Sequence, residues 1–301
     1  MKKILFWIQT IRAYSLFASL CPVLIGLLVS SEVNVWVGIC TAVCAMSLQS
    51  MSNLVNDYYD FKRGADKAGR EGFKRGLAEG DVSVRQIRNG ILITLSIAVI
   101  TGAILLVYSG FVRHECQVTF NWVYCLPILL IGLTSLLFAW LYTATDHSLS
   151  YLGIADIFVF LYYGVIASTG TTYLQTHTFS MTSFWAGGVC GLCSMCVLIA
   201  NNLRDINDDC EVGKRTFPVR FGKRAGEIGM LMVILLMPLM AYLAFGWSLP
   251  MFIILPALLL YYFTRRAKGA QYNQCLLGAL LLNILYVILS VIQWGCEELR
   301  N

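Results

Sequence analysis

Nine stretches of this chain are each long and apolar enough to cross a lipid bilayer, near 14–31, 35–55, 89–109, 121–141, 151–170, 181–200, 228–246, 248–264 and 273–294. A helix needs about 20 mostly apolar residues to span the hydrocarbon core. There the backbone must satisfy its own hydrogen bonds, which leaves helices and closed barrels. Barrel strands would show as short alternating segments, and these runs are far longer. The composition agrees: 58% of the 301 residues are hydrophobic and 13% charged, against roughly 45–50% and about 25% in soluble domains. The expected fold class is an all-α polytopic membrane protein with about nine transmembrane helices. A soluble globular body and a long disordered region are both excluded.

The few charges are unevenly placed. With the N-terminus on the cytoplasmic side, nine crossings put every one of the 22 lysines and arginines there except Arg113 and Arg300. That is the pattern of a positive-inside membrane protein, so the net charge of +5 reflects topology and does not point to nucleic acid. The eleven cysteines lie mostly inside apolar runs, where the thiol packs as a small hydrophobe. Cys190, Cys193 and Cys196 form a CxxCxxC within one such run, and packing is the expected role there too.

Two expected cytoplasmic loops, about 57–88 and 202–227, are long and charged while the other connections are short. Long loops between short-looped helices usually carry function. The first is entered through Asn53, Asn56, Asp57 and Asp60 at i, i+3, i+4 and i+7, one stripe of one helix face. The second contains Asn202, Asp205 and Asp209 at i, i+3 and i+7, again one face. Asp57 and Asp205 stand about half the chain apart. Carboxylates gathered at a membrane surface repel one another and are costly to bury, so a bound cation is the expected reason for them.

Oxygen donors of carboxylate and amide suit a hard cation, Mg²⁺ above all, which is commonly shared between a few carboxylates and substrate phosphates. Basic residues follow each cluster: Arg63, Arg70, Lys74 and Arg75 in one loop, Lys214 and Arg215 in the other. Acidic clusters mixed with Arg and Lys suit a diphosphate held through two or more metal ions, with the cations taking the remaining oxygens. An ion-coupled transporter is the competing class, since intramembrane carboxylates also bind coupling ions. It would place its acidic groups at the bilayer midplane, whereas these end helices at one face.

The stretch Asn56–Asp66 (NDYYDFKRGAD) resembles the first aspartate-rich motif of the UbiA-type intramembrane prenyltransferases, and Asn201–Thr216 (NNLRDINDDCEVGKRT) resembles the second. Supporting stretches are Leu48-Gln49, Ser52-Asn53, Tyr142-Thr143, Tyr173-Leu174-Gln175-Thr176 and Phe217–Gly222. The likeness runs over roughly 12–224 and is nearest to the branch that prenylates 1,4-dihydroxy-2-naphthoate in menaquinone synthesis. It implies one integral-membrane domain over 1–301, with helices around a central cavity. The implied activity is Mg²⁺-dependent transfer of a polyprenyl group from its diphosphate to the naphthoate, with decarboxylation, giving demethylmenaquinone. The runner-up is the same transfer to another aromatic acceptor, such as 4-hydroxybenzoate, homogentisate or a tetrapyrrole. The implied location is a cell's inner (plasma) membrane, with the reaction on the cytoplasmic side.

Position by position, the resemblance implies a metal-binding set of Asp57, Asp60, Asp66, Asp205 and Asp209, with Asn56, Asp60 and Asp205 at the reacting centre. Arg63, Arg70, Arg75, Lys214, Arg215 and Asn202 fall where the diphosphate is bound. Tyr59, Tyr142 and Asp156 are candidates for the acceptor and for shielding an allylic cation. The chain departs from the family in having Gly72-Phe73-Lys74-Arg75 after the first motif and Ala144–Ser148 after Tyr-Thr, both near the acceptor side.

Overall fold

The computed structural model describes residues 7–64, 72–73, 75–114, 117–141 and 153–298. Asp66, Arg70 and Tyr142 lie outside the described residues. The helices in chain order are α1 (Leu16–Leu28), α2 (Val35–Lys62), α3 (Val84–Ser109), α4 (Cys125–Leu141), α5 (Ala155–Phe160), α6 (Ile166–Thr176), α7 (Met181–Arg204), α8 (Ile206–Glu211), α9 (Phe217–Phe221), α10 (Lys223–Phe245), α11 (Ile254–Arg266) and α12 (Tyr272–Glu298). A π turn, Leu161–Val165, joins α5 to α6 in one crossing. Among the described residues eight helical stretches are long and apolar enough to span, and a shorter apolar one, Ala13–Leu28, precedes them. These correspond to the nine expected spans, and the chain is an integral membrane protein.

Several starts follow from local chemistry. The Asn34 side chain accepts from the backbone N–H of Trp36 and Val37 and so starts α2. Ser83 and Gln86 form a reciprocal capping box at α3, satisfying donors that a helix start leaves orphaned. Three features were not legible as helix. Phe111–His114 and Gln117–Phe120 pair as an antiparallel hairpin between α3 and α4; the β-branched and aromatic residues among them, Phe111, Val112, Val118, Thr119 and Phe120, suit strands. The π turn interrupts the fifth span. The third feature is the stop of α7 at Arg204, with Asp205 at φ −93°, ψ 12° separating it from α8. The second acidic stripe is therefore split over a bend, with Asp205 at the end of one helix and Asp209 on the next.

Helix α7 is the hub and packs against α10, α12, α1 and the α5–α6 crossing. Its face of Ala186, Val189, Cys190, Cys193 and Cys196 is fully buried with Met230, Ile234, Met237 and Tyr286; the three cysteines pack as hydrophobes. Contact with the π turn is backbone to backbone. A Cβ on Gly164 would meet Gly187 O and the Gly191 backbone at 2.6 Å. Without a hydrophobic drive between helices in lipid, small residues that let backbones approach are what bind them. Around this centre, α2 packs along α3, and most long hydrophobic side chains of α3, α4 and α10 face outward, as lipid-facing surfaces do.

Candidate active site

The two acidic stretches, distant in sequence, meet at one cavity of about 210 Å³. Helix α2 continues past its apolar span to Lys62 and carries Asn53, Asn56 and Asp60 to the wall. From the other half come Asn201, Asn202 and Arg204 at the end of α7, Asp205 at the bend, Asp209 on α8, and Lys214 and Thr216 beyond it. Asp156, in the first turn of α5, and Arg75 also line it.

Each buried carboxylate here has a basic neighbour. Lys214 Nζ stands 3.6 Å from Asp60 Oδ2 and 3.6 Å from Asp209 Oδ1, tying the two clusters together. Burial pushes the Asp209 carboxyl up to about 6; Lys214 opposes this, while Asp205 and Asp60 add to it. Asp205 receives a two-pronged pair from Arg204, Nε to Oδ1 at 2.6 Å and Nη2 to Oδ2 at 2.7 Å. Arg204 also donates to Asn201 Oδ1 and to Asn273 Oδ1 on α12, both at 2.7 Å. The planar guanidinium fork fixes the plane of the carboxylate it grips. Asp60 Oδ1 and Asp156 Oδ1 are buried and accept no hydrogen bond among the described residues, an arrangement that calls for a ligand or ion.

The expected site residues do not all converge. Asp57 is buried but lies outside the cavity lining, where it pairs with both Arg12 and Arg75. Its two arginine partners do line the cavity, so Asp57 meets the site through them. Arg63 lies over the Tyr59 ring at 5.7 Å, and Tyr59 packs edge-on to Tyr58 and Trp140. Neither lines the cavity. Arg215 is exposed and also falls outside the lining. Arg12, Asn53, Asn201, Arg204 and Tyr163 are cavity residues not assigned to the site from sequence. Asn53 belongs to the first acidic stripe, and Asn201 opens the second motif. In the sequence Arg12 counts as a topology charge, and its pairing over 45 positions with Asp57 has no local signal.

A second, apolar cavity of about 360 Å³ lies between α1, α2, α3, α4 and the α5–α6 crossing. Gln49, Ser52, Val159 and Tyr163 belong to the walls of both cavities. The π turn bearing Tyr163, which has non-helical dihedrals of −93° and 16°, thus forms part of the seam. Such turns recur where a helix must present a side chain off its regular spacing.

The donor set fits a hard cation. Asp60, Asp205 and Asp209 with Asn56 and Asn202 offer oxygens only. Among the described residues no three carboxylates, histidines or cysteines converge closely enough to hold an ion unaided. An ion here would complete its shell with oxygens of a bound anion, the mode usual for Mg²⁺.

Comparison with known proteins points the same way. The family model described as "UbiA prenyltransferase family" matches residues 19–284. The 1,4-dihydroxy-2-naphthoate octaprenyltransferase of Escherichia coli K12 is 29% identical, over 96% of each chain. The Haemophilus influenzae protein of the same name is 28% identical over 91% of this chain and 87% of its own. Among solved structures, a UbiA homolog from Archaeoglobus fulgidus bound to GPP and Mg²⁺ superposes with a TM-score of 0.65 at 14% identity, covering 96% of this chain and 99% of that one.

Proposed function

The chain belongs to the UbiA prenyltransferase family and is a prenyltransferase, and on that premise we propose that it moves a polyprenyl group from its diphosphate onto 1,4-dihydroxy-2-naphthoate. The ring carbon bearing the carboxyl group forms the new C–C bond as the allylic C–O bond breaks. The diphosphate departs with the bonding pair, the carboxyl leaves as CO₂ with its bonding pair returned to the ring, and the product is the hydroquinone, demethylmenaquinol. One observation carries this reading: a polar cavity fed by both acidic clusters shares a wall with an apolar one. A prenyl diphosphate is itself a polar head on an apolar tail, and the seam is where its reactive carbon would sit. Relatives named for the same donor and acceptor support the choice of substrates.

Asp60, Asp205 and Asp209, with Asn56 and Asn202, would hold Mg²⁺. When bound, the metal supplies charge neutralisation on the leaving diphosphate; the solved relative bound to GPP and Mg²⁺ supports that choice. The protein's own groups do the rest. Arg75, Arg12 and Lys214 face the cavity and take phosphate oxygens. Arg204 holds Asp205 in one orientation. The apolar walls exclude water from the seam, which an allylic cation requires. Asp156, half-buried with an unused oxygen, is placed to meet the acceptor.

We read residues 1–301 as one domain, with this cavity on the cytoplasmic side of a plasma membrane, on the strength of the one-sided basic residues. Membranes given a polyprenyl diphosphate, Mg²⁺ and each candidate aromatic acceptor test the reading. Product from dihydroxynaphthoate alone is expected. Product from a different aromatic alone would replace the acceptor, and ion-coupled uptake without any product would overturn the reaction.

A further inference from the structure

Gln49 lies one helical turn before Asn53 on α2 and is not accounted for by diphosphate binding. It is 8% exposed and belongs to the walls of both cavities. Asn and Gln amides are ambiguous in orientation unless a network fixes them, and here a network does. Ser15 Oγ donates its single hydrogen to Arg12 O at 2.8 Å, so that oxygen is left as an acceptor. Asn53 Nδ2 donates to the Ile11 carbonyl, which can only accept, at 2.9 Å, and to Ser15 Oγ at 2.9 Å. Asn53 must then present Oδ1 towards Gln49. Gln49 Nε2 donates to that Oδ1 and to Ser15 Oγ, each at 3.3 Å. Both amide hydrogens of Gln49 are used. Its orientation is set through two side chains by the Ile11 backbone carbonyl.

The consequence falls on the other branch of the amide. Gln49 Oε1 is buried and accepts no hydrogen bond among the described residues. A buried acceptor left unmade is costly, and here it sits where the polar and apolar cavities meet. What would satisfy it is a donor delivered by the substrate. The prenyl diphosphate has none: its head offers acceptor oxygens and its tail is hydrocarbon. The aromatic acceptor does, in its phenolic hydroxyls. We propose that Gln49 Oε1 accepts a hydrogen bond from a hydroxyl of the aromatic acceptor at the seam, and so reads that hydroxyl and orients the ring towards the prenyl carbon. This rests on the proposed transfer to a hydroxylated aromatic, and it makes Gln49 an acceptor-specificity residue.

The test compares dihydroxynaphthoate with its two mono-O-methyl ethers in wild type, Gln49→Met and Gln49→Glu. Wild type is expected to prefer the free diol over one of the ethers in kcat/KM by at least about tenfold, the scale of one lost hydrogen bond with an orphaned partner. Met is close to Gln in size but gives its hydroxyl no amide oxygen. In Gln49→Met that preference collapses towards one, through a higher acceptor KM, while the KM for the prenyl diphosphate holds. Gln49→Glu keeps an acceptor oxygen and retains the preference. Crowding by the methyl group would persist in Gln49→Met, and a general packing defect would lower diol and ether alike, so an unchanged ratio in that variant overturns the inference. A wild-type ratio near one for both ethers overturns it as well, whether or not any variant inserts. If dihydroxynaphthoate is not prenylated at all, the acceptor reading fails separately, and the same ratio is taken with the phenol that is prenylated and its methyl ether.

Discussion

At the scale of residues, the candidate site consists of carboxylates whose partners differ, and the partners separate their roles. Asp60 and Asp209 share Lys214, and Asp60 keeps a buried oxygen without a hydrogen bond among the described residues. Asp60→Asn keeps the shape and removes the charge, and prenyl transfer should fall by about 10²–10³, the size of losing one preorganised charge at a reacting centre. Asp57 is different because Arg12 and Arg75 both pair with it. Asp57→Asn should raise the KM for the prenyl diphosphate while leaving the Mg²⁺ concentration for half-maximal rate unchanged; a metal ligand would move the latter, so a Mg²⁺ titration of the variant decides between the two. Arg204→Ala should do the reverse, raising the Mg²⁺ requirement by about 10–100-fold as Asp205 loses the fork that orients it. Asp60, Asp205 and Asp209 were legible in sequence because a chain this apolar keeps few charges. The partnership of Arg12 with Asp57, and that of Arg204 with Asn273, join distant positions and leave no periodic trace.

At the scale of elements, hydropathy marked every crossing, because a span must be apolar along its whole length. It could not mark where a helix changes its winding. The π turn Leu161–Val165 depends on the approach of Gly164 to Gly187 and Gly191, a contact between two crossings. Gly164→Ala would set a methyl 2.6 Å from backbone atoms of α7 and should cost about 1–3 kcal/mol, as overpacking does. Thermal unfolding in detergent measures this, and an unchanged midpoint would mean that the two helices tolerate separation. The bend at Asp205 was equally hidden. Asn202, Asp205 and Asp209 have the spacing of one helical face, yet the chain breaks between them. That break lets Asp205 meet Arg204 while Asp209 turns to Lys214.

At the scale of the whole molecule, the paired arrangement of motif, span and loop was readable from charge and hydropathy, and so was the membrane class. The division of the interior into a polar and an apolar cavity was not, since side chains from separate helices build each wall. The sidedness of the molecule is open to a direct check with its own thiols. Cys210 and Cys296 are exposed, one beside the second acidic cluster and one near the C-terminal end of α12. With nine crossings and positive charge inside, a membrane-impermeant maleimide should label Cys210 only from the cytoplasmic side and Cys296 only from the other, in variants where Cys116 is replaced by serine. Labelling of both from one side would contradict the topology.

The central claim is that both acidic clusters serve one prenyl diphosphate at one cavity. The most direct measurement is single-turnover transfer by the purified protein, given a polyprenyl diphosphate, dihydroxynaphthoate and Mg²⁺, in wild type, Asp60→Asn and Asp205→Asn. The expected result is a demethylmenaquinol of matching mass in wild type, its loss on chelation, and loss of about 10² or more in rate for each variant, with the double variant little worse than either alone, as for groups that act as a unit. Wild-type turnover in either single variant, or product formed at full rate without a divalent cation, would contradict it.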